Sequence, residues 1–259
     1  MFDLKPKTIS LCTSCMGRLH HVYHTLPKNL EDNNFEGTTF VLLDYNSTDG
    51  LEDWVRNSPN IQKHIVSGKL LYFKENSATE FLRCHARNLS FKLAPGAIVC
   101  NVDADNYTGK DFDLHILSLL NEPNVFAAPI KRDIHDNKQK WIDSCGRLAF
   151  LKKDFLKIGG YNEELNLGWG GEDLDLVDRA LGLDFMRKDI DYYFLDNFIA
   201  HTNEDRFQHH AIKDCMFTNK TQMQISARNL LEGKFVANEG KNWGAATVVK
   251  NFSHEVQIS

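Results

Sequence analysis

The chain alternates short apolar runs with segments whose apolar residues recur every three or four positions. Thr8 to Thr13 (TISLCT) is a continuous run of the kind a buried strand shows. Leu19, Val22 and Leu26 follow at helical spacing, and Pro27 predicts the end of that helix. Thr39 to Asp44 (TFVLLD) predicts a second strand. Asn46-Ser47-Thr48-Asp49-Gly50 reads as a turn with N-cap residues, leading into a short helix that carries Leu51, Trp54 and Val55. Leu70 to Phe73 predicts a third strand. Ser77 to Leu93 predicts a helix with Leu82, Ala86, Leu89 and Leu93 on one face, stopped by Pro95-Gly96. Ala97 to Val102 is a fourth apolar strand, Asp111 to Leu120 a helix, and Val125 to Ile130 a further strand.

Strands alternating with helices of this length predict βαβ units and an α/β fold with a mostly parallel sheet. Such sheets bind ligands at the carboxyl ends of their strands. Those ends carry Thr13 and Ser14, then Asp44, then Asp103 and Asp105. The second half reads differently. All six prolines lie at or before Pro129, and five of the sixteen glycines fall between Gly159 and Gly171. A glycine cluster supplies unusual backbone angles or a close approach to a ligand. Leu174, Val177 and Leu181 then mark a helix with Gly182 as its stop. Tyr192 to Ala200 predicts a strand ending at His201, and residues 211 to 232 a helix. The final 25 or so residues carry no period that assigns them.

Composition narrows the class. At 259 residues with 42% hydrophobic positions, the chain can bury the core of one large α/β domain. Thirty basic against 35 acidic residues give a formal charge of -5, a poor balance for neutralising nucleic-acid phosphates. No apolar run approaches the roughly 18 residues of a membrane span. Met1 to Pro6 has no apolar stretch of signal-peptide type. A cytoplasmic protein is the expectation, with reduced thiols among its six cysteines. Cys12 and Cys15 form a lone C-x-x-C, and without a second pair they read as structural thiols. His20, His21 and His24 include an i, i+4 pair but no further ligand, so they read as a solvated helix face.

Two motifs carry candidate chemistry. Asn101-Val102-Asp103-Ala104-Asp105-Asn106 directly follows a buried strand, and period-2 spacing lets both carboxylates lean to one side. Paired acidic oxygens suit a hard cation such as Mg²⁺ or Mn²⁺, which can bridge a diphosphate and neutralise it as it leaves. The plainer alternative is an Asp-rich turn capping the next helix. Gly168-Trp169-Gly170-Gly171-Glu172-Asp173 opens the Leu174 helix, where the dipole favours anions, so both acids could merely cap. A Trp face can instead stack on a sugar ring, and an adjacent carboxylate can accept a hydroxyl proton as that hydroxyl attacks. No G-x-x-x-x-G-K-[ST] loop and no G-x-G-x-x-G after the first strand occur, which disfavours P-loop NTPases and dinucleotide oxidoreductases.

Taken in order, Asp103-Ala104-Asp105, Gly159-Gly160-Tyr161-Asn162 and Gly168-Trp169-Gly170-Gly171-Glu172-Asp173 resemble the GT-A glycosyltransferases. The last block is similar to the G-W-G-G-E-D motif of β-1,4-galactosyltransferases and bacterial family 2 relatives. The resemblance implies a GT-A, Rossmann-like fold with residues 1–106 as the nucleotide-binding half, 107–210 as the acceptor and catalytic half, and 211–259 as a C-terminal extension. It implies an inverting transfer of a hexose or N-acetylhexosamine from a UDP-sugar to a saccharide or lipid-linked glycan, with Mn²⁺ or Mg²⁺ as cofactor. Thr13, Arg18, Asp44, Arg87 and Asp103 would contact the nucleotide. Asp105, with Asp103 and His201, would form the metal site. Trp169, Gly170, Gly171 and Glu172 would line the sugar and acceptor pocket, with Glu172 on sugar hydroxyls and Asp173 as the catalytic base.

The galactosyltransferases are membrane-anchored enzymes of the secretory pathway, and no anchor is expected here; work at the inner membrane surface is compatible with the reading. Galactose, N-acetylgalactosamine and glucose all stay open as the donor sugar. Two other classes stay in view: a non-catalytic sugar-nucleotide or carbohydrate-binding module, and a nucleotidyltransferase. Ser14-Cys15-Met16-Gly17-Arg18 is poor in glycine for the triphosphate loop of the latter.

Overall fold

The structure, a computed structural model, describes residues 8–129 and 145–259. In chain order the first half contains β1 (Ile9–Cys15), α1 (Leu19–Asp32), β2 (Thr38–Tyr45), α2 (Leu51–Asn57), α3 (Pro59–Val66), β3 (Leu70–Glu75), α4 (Arg83–Leu93), β4 (Ile98–Asn101), α5 (Phe112–Leu119) and β5 (Val125–Pro129). The second half adds β6 (Ala149–Leu151), α6 (Lys152–Lys157), α7 (Glu172–Gly182), β7 (Met186–Ile190), α8 (Asn203–Phe207), α9 (Cys215–Leu231), β8 (Ala246–Lys250) and β9 (His254–Ile258). Ile130, the expected last residue of the fifth strand, lies outside the described residues.

The strands join one nine-stranded sheet in the order β7-β5-β6-β4-β1-β2-β3-β8-β9. Its centre, β4-β1-β2-β3, is parallel, and β5 pairs parallel with β7. Antiparallel pairs enter at β6 and at the β8–β9 hairpin, which extends the sheet beyond β3. This is an α/β fold with a largely parallel centre, as the alternation of strands and helices predicts. Side chains alternate across the sheet. Leu11, Phe40 and Leu42 meet α1, α2, α3 and α5 on one face, while Val41, Leu43 and Val99 meet α4, α6 and α7 on the other. Cys12 and Cys15 fall in opposite cores, and all six cysteines are free thiols.

The structure corrects several element assignments. Helix α1 does not stop at Pro27 but runs on to Asp32. Leu30 is fully buried in its last turns, and Asn29 donates to the Asn106 carbonyl at 3.0 Å and accepts from Thr108 N at 2.8 Å. Those tertiary bonds outweigh the one helical bond that proline removes. His21 is buried rather than part of a solvated face, although His20 and His24 are exposed. Helix α4 starts at Arg83, not Ser77, because the Glu75 carboxylate accepts from Ser77 N at 2.8 Å and Ala78 N at 2.6 Å and closes a turn there. In α7, Leu174 and Leu181 face solvent, whereas Leu176, Val177 and Ala180 are buried. An ion pair between Asp175 and Arg179 at 2.7 Å is buried beside them. The strand expected at Tyr192 to Ala200 is absent. Residues Tyr192–Phe194 form a 3₁₀ turn, and β7 lies just before it.

Candidate active site

A cleft opens at the carboxyl ends of β1 and β4, where the parallel centre of the sheet directs loops outward. Its walls come from the end of β1 (Ser14) and the loop after it (Met16, Arg18), from α4 (Arg83, Arg87), from the turn after β4 (Asp103, Asp105), from Trp169, and from residues 201–210.

Arg87 organises the floor. Its guanidinium is almost fully buried and pairs with three carboxylates: Asp103 at 2.9 Å, Glu172 at 3.1 Å and Asp173 at 2.6 Å. It also lies 5.4 Å from the Tyr161 ring centre. Asp103 and Arg87 sit 16 residues apart, while Glu172 and Asp173 arrive on the first turn of α7. The four therefore meet only because α4 and α7 pack on the same face of the sheet. Burial opposes the charge on Asp103, but Arg87 and the Asn101 amide outweigh it and hold its pKa below the ordinary carboxylate value. Burial likewise opposes charge on Glu172, and Arg83 and Arg87 outweigh it. Asp173 goes the other way. Burial, aided by the Glu172 and Asp103 charges and only partly offset by Arg87, pushes its pKa up to about 7. Three acids of one cluster thus divide into two committed anions and one group that titrates near neutrality.

The second constellation is a pair. His201 Nδ1 lies 3.0 Å from Asp105 Oδ2. The backbone delivers it without a regular strand: Tyr107 N donates to Asn197 O at 3.0 Å, and Ile199 N to Asp105 O at 2.8 Å. Residues 197–199 are thus zipped alongside Asp105–Tyr107. Arg206 Nε donates to His201 Nε2 at 3.0 Å, so a metal ligated through Nδ1 would require Arg206 to leave Nε2 and the ring proton to move there. Two donors 3.0 Å apart match neighbouring ligands of an octahedral ion with bonds of about 2.1 Å. A carboxylate beside an imidazole also suits Mn²⁺. The pair fits such an ion, with the remaining ligands left to the substrate and water, because among the described residues no cluster of three or more such side chains forms a complete cage.

The other residues singled out in the sequence distribute unevenly. Trp169 lines the cleft, 6.0 Å from the Arg83 guanidinium and 5.3 Å from that of Arg206. Gly170 and Gly171 have φ of +99° and +86°, backbone that a side chain adopts only at a cost, and Gly171 caps α7. Glu172 is buried behind Arg83 (2.9 Å) and Arg87, so it sets arginines rather than presenting a free carboxylate to the cleft. Arg18 lines the cleft and donates to the Asp205 carbonyl. Thr13 and Asp44 do not line it. The Thr13 hydroxyl donates to Val102 O at 2.8 Å. Asp44 is fully buried, accepting from Tyr72 Oη and Ser47 N, each at 2.7 Å, and so anchors the turn after β2.

Sequence reasoning missed several contributors. Arg83 stands four residues before Arg87 on α4, and that spacing alone places it on the same face. Gly146 has no sequence signal. A Cβ there would fall 2.7 Å from Arg87 Nη2 and 2.8 Å from Asp103 Oδ2, so only glycine leaves room for the knot. Arg147 is a buried cation that donates to Asn106 Oδ1 at 3.0 Å, to Tyr107 O at 3.1 Å and to Phe194 O. It ties the turn carrying Asp105 to the segment carrying His201. His21 also enters the cleft, and burial first, then His20, push its pKa down to about 4, leaving it uncharged at neutral pH.

Comparison with known proteins bears on the fold. A family model described as the N-terminal domain of galactosyltransferase matches residues 135–194, a stretch that contains Trp169, Glu172 and Asp173. No curated protein sequence matches the chain. Among solved structures, the mannosyltransferase PcManGT from Pyrobaculum calidifontis, in complex with GDP-Man and Mn²⁺, is similar at a TM-score of 0.61 and 17% identity, over 89% of this chain and 76% of that one. TarS of S. aureus is similar at 0.60 and 15% identity, over 86% of this chain and 40% of its own. GalNAc-T7 with UDP, GalNAc and Mn²⁺ is similar at 0.51 and 13% identity, over 67% of this chain and 40% of its own. The fold of this chain is therefore that of the GT-A glycosyltransferases.

Proposed function

We propose that the chain is an inverting, metal-dependent glycosyltransferase that moves a hexose or N-acetylhexosamine from a UDP-sugar to a glycan hydroxyl. One observation carries the reading. Arg87, which lines the cleft, holds Asp173, with a pKa near 7, at 2.6 Å, and the same cleft is lined by Asp105 and His201, 3.0 Å apart. A group that takes a proton thus stands one side chain behind the space that a pair suited to a diphosphate-bound cation lines. The likeness to structures solved with GDP-Man, or with UDP, GalNAc and Mn²⁺, supports the same assignment.

In this reading Asp173 accepts the proton of the acceptor hydroxyl late in the displacement. That oxygen bonds to the anomeric carbon from the face opposite the diphosphate, and the bond to UDP breaks. Arg87 holds Asp173 in place and keeps Asp103 and Glu172 ionised. Trp169 offers a face on which a sugar ring stacks. Arg18, beside the loop after β1, faces the nucleotide. Asp105 and His201 would hold Mn²⁺ or Mg²⁺, whose charge stabilises the departing diphosphate. The acceptor is a saccharide or a lipid-linked glycan, met by a cytoplasmic protein at or near a membrane surface. Among the described residues, no helix is long and apolar enough to cross a membrane.

Replacing Asp173 with Asn tests the reading. UDP should bind with unchanged affinity while turnover falls by about 10²–10⁴-fold, the usual contribution of a positioned base. A variant with near-normal turnover would remove Asp173 from the role.

A further inference from the structure

Helix α9 is inverted for a surface helix. Its buried stripe contains Thr218, Gln222, Ser226 and Asn229, while Met216, Phe217, Met223 and Leu231 face outward. Buried polar side chains are retained where they satisfy particular partners. Two of these side chains find their partners in the Trp169 loop. The Thr218 hydroxyl donates to Trp169 O at 2.9 Å. The Gln222 amide uses both ends: Oε1 accepts from Leu167 N at 3.2 Å and Nε2 donates to Gly170 O. Both side chains have no exposed surface. The glycines of the loop fit the same helix. A Cβ on Gly168 would meet Thr218 at 2.9 Å, one on Gly170 would meet Asn219 at 2.5 Å, and one on Gly171 would meet Gln222 at 3.2 Å.

We propose that Thr218 and Gln222 are positioning residues that mould the Trp169 loop, and through Gly171 set where α7 begins and so where Glu172 and Asp173 stand. The C-terminal extension is then a template for the acceptor side of the cleft. This rests on the reading of Trp169 and Asp173 given above. Its physical content is simple. Three loop groups (Leu167 N–H, Trp169 C=O and Gly170 C=O) lack sheet or helix partners of their own and are satisfied from one face of α9. Neither Thr218 nor Gln222 is itself a member of the Arg87 knot or of the Asp105–His201 pair, so removing a donor from that face deletes no group from either.

The test compares Thr218→Val, which keeps shape and loses the hydroxyl, with Thr218→Ser, which keeps the hydroxyl, and with Gln222→Leu. Hydrogen exchange is followed across the whole chain, and UDP release from a UDP-sugar with Mn²⁺ is followed with and without acceptor. In Thr218→Val and Gln222→Leu, the amides of residues 167–171 should exchange about tenfold faster, as for one lost hydrogen bond, while β1 and β4 amides keep their protection. KM for the acceptor should rise in both, UDP affinity should stay unchanged, and Thr218→Ser should restore exchange and KM toward the wild type. Uniformly faster exchange, or equal behaviour of Thr218→Ser and Thr218→Val, would overturn the proposal. Wild-type protein that releases no UDP from any donor would instead overturn the assigned activity, and the exchange data would still report on the loop.

Discussion

The two constellations facing the cleft are built on opposite plans. Around Arg87, one buried cation is shared by three carboxylates, and every distance is 3.1 Å or shorter. At Asp105 and His201 a single carboxylate meets an imidazole, joined through short backbone bonds between residues 105–107 and 197–199. The first is a closed network in which Arg87, with Arg83 on Glu172, offsets the carboxylate charge. The second is an open pair whose donors fit a cation that the chain alone does not enclose. A network of the first kind fixes geometry and tunes a proton affinity, while a pair of the second kind has too few side chains to enclose a cation by itself. Stability should therefore depend on the first and metal response on the second.

The largest effect should come from breaking the network at its centre. Arg87→Met leaves Asp103, Glu172 and Asp173 without their shared cation, a loss of about 3–5 kcal/mol by the usual cost of orphaning a buried pair. In a chain of this size that lowers the thermal midpoint by roughly 10 °C, read by calorimetry. Next, His201→Ala and Asp105→Asn should weaken Mn²⁺ binding by at least about 10–100-fold, the range seen even for outlying partners of a metal site, while the thermal midpoint of the metal-free protein moves little. Equal loss of stability in both sets would erase the contrast. A third, smaller effect is on pH. With Asp173 acting as the carboxylate, as proposed, kcat/KM should rise with pH through about 7. The Glu172 charge raises the Asp173 pKa, so Glu172→Gln should move that rise to lower pH, and a move upward would contradict the assigned cause. The smallest is steric. Gly146→Ala should cost about 1–3 kcal/mol by overpacking against Arg87 and Asp103, without changing Mn²⁺ affinity.

The parallel centre of the fold is legible in the sequence because β1, β2, β3 and β4 are continuous apolar runs with helices between them. Asp103, Asp105, Trp169 and Asp173 are legible because they sit in compact motifs beside a strand end or a helix start. Arg83 is legible only through its i, i+4 spacing to Arg87, and Gly146, Arg147, Thr218 and Gln222 are not legible. Each acts through contacts between elements about 40 to 90 residues apart along the chain, which no local pattern encodes. The same reason hid β8 and β9, whose half-exposed residues become a hairpin only against the edge of β3. Pro27 and the apolar face of α7 misled in the opposite way. There a local signal was real, but buried bonds from Asn29 and the buried Asp175–Arg179 pair decided the outcome.

The most direct measurement is UDP release from a panel of UDP-sugars, with glycan acceptors, in the presence of Mn²⁺ or a chelator, for the wild type and Asp173→Asn. One donor should release UDP in the wild type only with the metal and an acceptor, and Asp173→Asn should bind UDP yet release it at least about 100-fold more slowly. UDP binding without release from any donor and acceptor would instead make the chain a sugar-nucleotide binding module, and pyrophosphate release from UTP and a sugar phosphate would make it a nucleotidyltransferase.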